Sequence, residues 1–349
     1  MNNILRVGII GCGMISQLRH APEYAQNPNS EIRMVADFSK ERARAFAAQY
    51  NCEYTDDYTE ILDNNEIDAV SICTANESHA KIAIQALNAK KHVLCEKPMA
   101  LTLDEAKEMI IAAHKNSKLL MPAHNQRLFK SHLRAKEIID SNQFGRVLSF
   151  YTSFKHAGPE GWSVDSGANT WFMNKSNAGF GVLGDLGIHK IDTIHFLLGD
   201  KIKNVYANMD TIYKTNGNGE KISLEDEATV LCKMRSGITG TVCASWNNYG
   251  IEENFTIIYF EKGRMLVNYY HNIDIVIEKS NATSEEYKLG GKSSNDNQTH
   301  SGVIDGFIES IRTGSEPYVT AEDGYYSIAV LSACLKSSKL NTSVDIDVI

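Results

Sequence analysis

Short apolar runs alternate with amphipathic stretches through the first third of the chain. The run Ile4 to Ile10, broken by Arg6 and Gly8, ends in Gly11-Cys12-Gly13-Met14-Ile15-Ser16. A short apolar run that stops at glycines predicts a buried parallel strand meeting a tight turn. Residues 31–37 predict a second strand closed by Asp37, and residues 40–50 a helix rich in Ala and charge. Residues 56–64 lead into a third strand at 67–75, followed by a helix at 77–90. A strand at 91–98 ends at Pro98, a helix at 101–116 opens near Thr102 or Asp104, and 118–125 is one more strand. Strands alternating with helices at this spacing predict a doubly wound parallel sheet, an α/β Rossmann domain over residues 1–122.

Residues 123–349 have a different grain. A helix is expected at 127–141 and a strand at 146–154, then a loop rich in Gly, Ser and Asn over 157–181 carrying Trp162 and Trp171. The stretch 186–199 predicts an amphipathic helix with Gly199 at its C-terminus. Strand patterns follow at 203–213, 226–235, 238–246, 254–261, 264–270 and 273–279. Turns such as Arg235-Ser236-Gly237 and Glu261-Lys262-Gly263 point to antiparallel pairing. Residues 281–299 are polar and expected as a loop, before helices at 300–313 and 321–337. The second domain is therefore expected to be α+β, with an open, mostly antiparallel sheet and helices on one face. Its other face needs cover, which predicts a homodimer or homotetramer.

Composition narrows the class without changing the fold. A length of 349 residues suits two domains, and 43% hydrophobic with 22% charged residues is ordinary for a globular protein. The net charge of -8 and the lack of a basic tract speak against nucleic acid. Apolar runs fall short of the roughly 20 residues of a membrane span, and the N-terminus enters its strand without signal-peptide architecture. The seven cysteines are scattered, with no CxxC pair, which predicts a reducing cytoplasm, no disulfide framework and no metal centre.

The candidate chemistry sits where apolar strands stop. Gly11 permits the turn, Gly13 lets the backbone approach a pyrophosphate, and a small residue at Ser16 lets the next helix pack on the strand. That helix begins at Met14 and Ile15, and its first N–H groups suit phosphate. Asp37, roughly twenty residues on, stands where an acid binds the ribose hydroxyls of NAD; the alternative is a strand-end or capping Asp. Lys40 and Arg42 leave NADP open. Three more segments end on the same edge: Thr74-Ala75-Asn76-Glu77-Ser78-His79, Glu96-Lys97-Pro98 and His124-Asn125-Gln126-Arg127. Lys97 could stabilise negative charge developing on a substrate oxygen, or simply pair with Glu96. Asp185 and His189 are four apart and share a helical face, as a general acid–base pair or a structural ion pair. Asp192 and His195 read as structural or solvent-facing.

Together GIIGCGMIS, VADFSKERA, CTANESH, CEKPMALTLDEA and GVLGDLGIHKIDTIHFLLG resemble, in order and over essentially the whole chain, the glucose–fructose oxidoreductase / inositol dehydrogenase (Gfo/Idh/MocA) family. The resemblance implies an NAD- or NADP-dependent dehydrogenase acting on a sugar, inositol or related polyol. It implies catalytic roles for Lys97, Asp185 and His189, with His189 taking the hydroxyl proton, Lys97 favouring the alkoxide and Asp185 tuning both. Gly11, Gly13, Met14, Ile15, Asp37, Thr74, Asn76, His79, Glu96, Lys97 and Asn125 are expected around the cofactor. Lys97, Arg127, Trp171, Asp185 and His189 are expected at the substrate. Two departures are mild: Thr74-Ala75-Asn76 replaces Thr-Pro-Asn, and Ser16 the third glycine. Competing readings are an NAD-dependent glycoside hydrolase of the same superfamily and a non-catalytic NAD-binding sensor.

Overall fold

A computed structural model describes residues 4–290 and 300–346. The first unit is built on β1 (Leu5–Ile10), β2 (Ser30–Ala36), β3 (Glu53–Thr55), β4 (Ala69–Ile72), β5 (His92–Cys95) and β6 (Leu120–Pro122). They form one sheet in the order β3-β2-β1-β4-β5-β6, with every neighbouring pair parallel. The crossovers are α1 (Ala21–Gln26), α2 (Lys40–Tyr50), α3 (Thr59–Asp63), α4 (Asn76–Asn88) and α5 (Leu103–Asn116). Strands β1, β4 and β5 are almost wholly buried, as expected of a parallel sheet covered on both faces. Helix α5 starts where a Thr102–Glu105 capping box satisfies its first amides. The short β3 and α3 carry too few periodic positions to register in the sequence pattern.

The second unit follows α6 (Lys130–Asp140). Its strands are β7 (Val147–Lys155), β8 (Ile202–Asp210), β9 (Glu227–Met234), β10 (Thr239–Ser245), β11 (Glu253–Phe260), β12 (Gly263–Tyr270), β13 (Ile273–Lys279), β14 (Ser284–Tyr287) and β15 (Val344–Asp345). They pair in the order β14-β13-β12-β11-β7-β10-β9-β8-β15. All neighbours are antiparallel except β7 and β10, which run parallel. The parallel pair is possible because the chain between them crosses through α7 (Lys175–Ala178), α8 (Ile188–Leu198), β8 and β9. The polar stretch expected as a loop over 281–299 contains β14 instead; its residues 291–299 lie outside the described residues.

The chain closes with α9 (Val303–Thr313) and α10 (Ala321–Leu340). Helix α9 returns to the first sheet: Val303, Ile304, Phe307 and Ile308 pack with Val7, Ile9, Tyr24 and Val35. Helix α10 lies on β8 of the second sheet and also meets α5 and β6 of the first, with Gly324 pressed between Met99 and Pro122. One apolar core runs from the first sheet through α8 and α10 into the second. A separate cluster of Ile257, Leu266 and Val276, flanked by Tyr151, Phe255, Tyr259 and Ile273, is made only of strand residues.

Candidate active site

The site forms where the carboxyl ends of β1, β2, β4, β5 and β6 meet the start of α8. Between β1 and β4 the strand order reverses, which opens a crevice in such sheets. Gly11 sits there at φ +97°, and a Cβ on it would lie 2.6 Å from the Cys73 carbonyl oxygen. Only glycine holds that conformation against that backbone. A Cβ on Gly13 would meet nothing within 4 Å, so the turn is open on the side that would face a ligand. The Ser16 hydroxyl donates to the Gly13 carbonyl (2.8 Å), closing the turn from the third position. Met14 and Ile15 begin the helix, which continues as a π turn over Ser16–His20.

Asp37 faces this turn. Its carboxylate accepts the Cys12 N–H (2.9 Å) on one oxygen and the Ser39 N–H (2.9 Å) on the other, and Arg42 approaches at 3.2 Å. A glycine turn with open space before it and a held carboxylate at its edge fits the pyrophosphate and ribose of a dinucleotide. The remaining residues expected around a cofactor divide. Thr74 lies two residues past the end of β4, its hydroxyl accepting from Ser78 Oγ (2.6 Å). Asn125 lies with Arg19, His20 and Glu96 around a small cavity. The Asn76 amide donates across the domains to the Ala178 carbonyl (2.9 Å). His79 is buried with Nδ1 2.8 Å from the Pro98 carbonyl and Nε2 3.1 Å from that of Thr74. Asn76 and His79 thus brace the walls of the crevice with their side chains turned to protein.

Glu96 is buried behind Lys97. Burial alone would raise its pKa, but His20, bonded to Oε1 at 2.9 Å, with Arg19 and Lys97 nearby, holds it down to about 2. The same carboxylate accepts the Lys97 backbone N–H (3.1 Å), fixing the direction in which the lysine leaves the strand. The Lys97 ammonium donates to the Asp185 backbone oxygen (2.9 Å) and to its Oδ1 (3.0 Å). Asp185 Oδ2 accepts from the indole N–H of the fully buried Trp246 (3.1 Å). Each carboxylate oxygen is therefore held from a different domain.

Asp185 lies in a π turn, Leu183–Gly187, that runs directly into α8. Such turns are rare and recur at functional sites. This one is held by the buried Glu225, whose carboxylate accepts the Gly181 and Leu183 N–H groups. Beyond it His189 is 2% exposed, and neither ring nitrogen has a hydrogen-bond partner. Its pKa lies well below the usual value because burial disfavours the imidazolium, reinforced first by the Lys97 charge and then by His124, Arg19 and Lys190. A neutral imidazole with unspent nitrogens beside an ammonium can move a proton at that spot.

Two residues expected at the substrate have their side chains engaged with protein. The Arg127 guanidinium donates to both oxygens of Asp192 (2.8 and 2.6 Å), to Asp323 (2.9 Å) and to the Tyr318 carbonyl (3.1 Å). Trp171 stacks on Phe172 with ring centroids 3.8 Å apart and packs partly buried against the core. Trp246, Glu225 and His20, which touch the key groups, have no local signature in the sequence; their partners lie 61, 44 and 76 residues away. Among the described residues no helix is long and apolar enough to cross a membrane, and no group of three His, Cys, Asp or Glu could hold a metal ion.

Residues 5–124 match an oxidoreductase family with an NAD-binding Rossmann fold, and residues 132–266 match the GFO/IDH/MocA C-terminal domain. Levoglucosan dehydrogenase of Pseudarthrobacter phenanthrenivorans is 30% identical over 76% of this chain and 74% of its own. D-glucoside 3-dehydrogenase of Escherichia coli is 28% identical over 98% of this chain and 97% of its own. A solved levoglucosan dehydrogenase in complex with NADH and L-sorbose has a TM-score of 0.88 at 26% identity, covering 99% of this chain and all of that one (100%).

Proposed function

The chain belongs to the GFO/IDH/MocA oxidoreductase family, and from that premise we propose that it is an NAD(P)-dependent dehydrogenase of a sugar, inositol or related polyol. The observation that carries the reading is the Lys97–Asp185 pair within electrostatic reach of a buried His189 with both ring nitrogens unspent. Bound NAD(P) supplies the hydride acceptor. Gly11, Gly13, Met14 and Ile15 would hold its pyrophosphate and Asp37 its ribose, with Thr74, Glu96 and Asn125 along the crevice.

Lys97 then donates a hydrogen bond to the substrate hydroxyl and stabilises the negative charge that grows on oxygen as carbon loses hydride. Asp185, fixed by Trp246, keeps the ammonium aimed. His189 accepts the hydroxyl proton on a ring nitrogen and returns it when the reaction runs toward the alcohol. Asn76 and His79 keep the crevice walls in place, and Arg127 positions α8, which carries His189. The expected result of a panel of sugars, inositols and sugar acids offered with NAD and with NADP is turnover-linked nicotinamide absorbance for at least one hydroxyl substrate. Release of sugar from glycosides with no net absorbance change would instead identify a hydrolase.

The same reading covers the assembly. We propose a two-domain division at residues 122 and 123, with α9 docked back on the first domain, and a reducing cytoplasm in which the cysteines remain thiols. The partly buried Tyr151, Phe255, Tyr259 and Ile273 that surround the cluster of Ile257, Leu266 and Val276 are then covered by a second copy of the chain. A solution mass of two or four chains is expected from light scattering; a single-chain mass at micromolar concentration would remove this part of the proposal.

A further inference from the structure

Arg42 joins three parts of the molecule at the edge of the glycine turn. From α2, its Nη1 reaches Asp37 Oδ1 at 3.2 Å, and its Nη2 meets both carboxylate oxygens of Asp165 at 3.1 and 3.2 Å. The guanidinium also lies 5.3 Å from the centre of the Phe38 ring, which is 84% exposed. Asp165 belongs to the second domain, 123 residues further along.

The arch that carries Asp165 is braced on its own domain. The Asp165 N–H donates to Ser163 Oγ (3.2 Å), and Ser163 is buried. The Gly167 N–H donates to the Glu160 carbonyl (2.8 Å). The Glu160 carboxylate accepts from the buried Lys214 ammonium (2.6 Å), which also donates to the Ala157 carbonyl. Residues 157–167 therefore deliver a carboxylate from the second domain onto the ribose edge of the first.

We propose that Asp165 is a cofactor-specificity residue, which favours NAD over NADP by occupying the Arg42 guanidinium. This rests on the dinucleotide reading above, in which Asp37 faces the adenosine ribose. In that setting a nearby arginine is the natural partner of a 2′-phosphate, through a two-pronged charge-assisted interaction. Here the prongs are taken. Two carboxylates share one guanidinium, so the edge already carries one net negative charge. A 2′-phosphate adds about 1.5 to 2 further negative charges. To bind, it must displace Asp165 from Nη2 while lying against Asp37. The neutral hydroxyls of NAD need only the Asp37 carboxylate. Asp165 is 64% exposed on its side chain, so the pair adds little to the stability of the fold and its consequence is selectivity. Because Asp165 sits in the second-domain loop that carries Trp162 and Trp171, it also ties cofactor choice to the seating of that loop.

The test is titration of the full-length protein with NADH and with NADPH at low ionic strength, followed by nicotinamide fluorescence. Asp165→Asn keeps the shape and removes the charge. It is expected to tighten NADPH by about tenfold while NADH changes by less than about threefold, the scale of a single charge-assisted hydrogen bond between Arg42 and phosphate. Adding Arg42→Ala to Asp165→Asn is expected to abolish that tightening. An unchanged NADPH-to-NADH ratio in Asp165→Asn, or equal changes for both dinucleotides, overturns the proposal while leaving the dinucleotide reading intact. Failure of the wild type to bind either dinucleotide overturns both.

Discussion

Lys97→Met is expected to lower kcat by roughly 10²–10³-fold, the loss typical of removing one donor to a developing oxyanion, while NADH still binds. The substitution keeps the aliphatic stem and removes the only ammonium bonded to Asp185 among the described residues. A nearly unchanged kcat would remove Lys97 from the chemistry. The same variant makes a second, signed prediction. His189 is kept neutral by burial first and by the Lys97 charge next. Protonated His189 cannot accept the hydroxyl proton, so kcat/KM for oxidation is flat above its pKa and falls below it. Deleting the Lys97 charge makes the imidazolium easier to form. The acid limb of the residual activity should therefore move to higher pH than in the wild type. His189→Gln should lower kcat by about 10²–10⁴-fold, the usual contribution of a positioned acid–base group, and abolish that limb.

Arg127→Met is expected to destabilise the fold by about 3–5 kcal/mol, because it strands a buried charge rather than because it deletes an attraction. Asp192 is almost fully buried and Arg127 meets both its oxygens. Burial by itself raises the Asp192 pKa, and the guanidinium holds it below the usual carboxylate range. In the wild type the stabilisation from this pairing is present above the unfolded pKa and is lost as pH falls through the lower folded value. In the variant the sign reverses. An acid raised by burial folds best when protonated, so the deficit is complete at neutral pH and shrinks as pH is lowered toward about 4. Chemical denaturation at both pH values measures this directly. Adding Asp192→Leu should recover much of the loss, since an apolar replacement of a buried pair costs little. A neutral-pH stability within about 1 kcal/mol of wild type, on the order of an ordinary surface change, would show the cluster to be dispensable. Lost stability with unchanged kcat would leave Arg127 structural and end its role in positioning α8.

The architecture of the first unit was legible because its signals are local. A buried parallel strand needs an apolar run, a tight turn needs glycine, and a crossover helix needs its own period. Those requirements located β1, β2, β4 and β5, helices α2, α4 and α5, and the polar groups at each carboxyl end. The hairpins β9–β10 and β11–β12 were legible for the same reason, through Gly237 and Gly263 in their turns. The parallel pairing of β7 with β10 was not, because a strand's own residues do not state which partner it takes across a long connection.

The Gly11-Cys12-Gly13 turn, the apolar runs ending at Asp37 and Lys97, and the four-residue spacing of Asp185 and His189 were determined by sequence alone, since each depends on a few neighbouring residues. The tertiary structure decided where those groups point. It turned Arg127 onto Asp192 and Asp323, set His79 against two carbonyls, brought Trp246 to Asp185, and carried Asp165 from the second domain to Arg42. These are pairings between groups that are mostly tens of residues apart or more, settled by packing and charge. Local periodicity records which face is apolar; it carries no record of the partner waiting on the polar one.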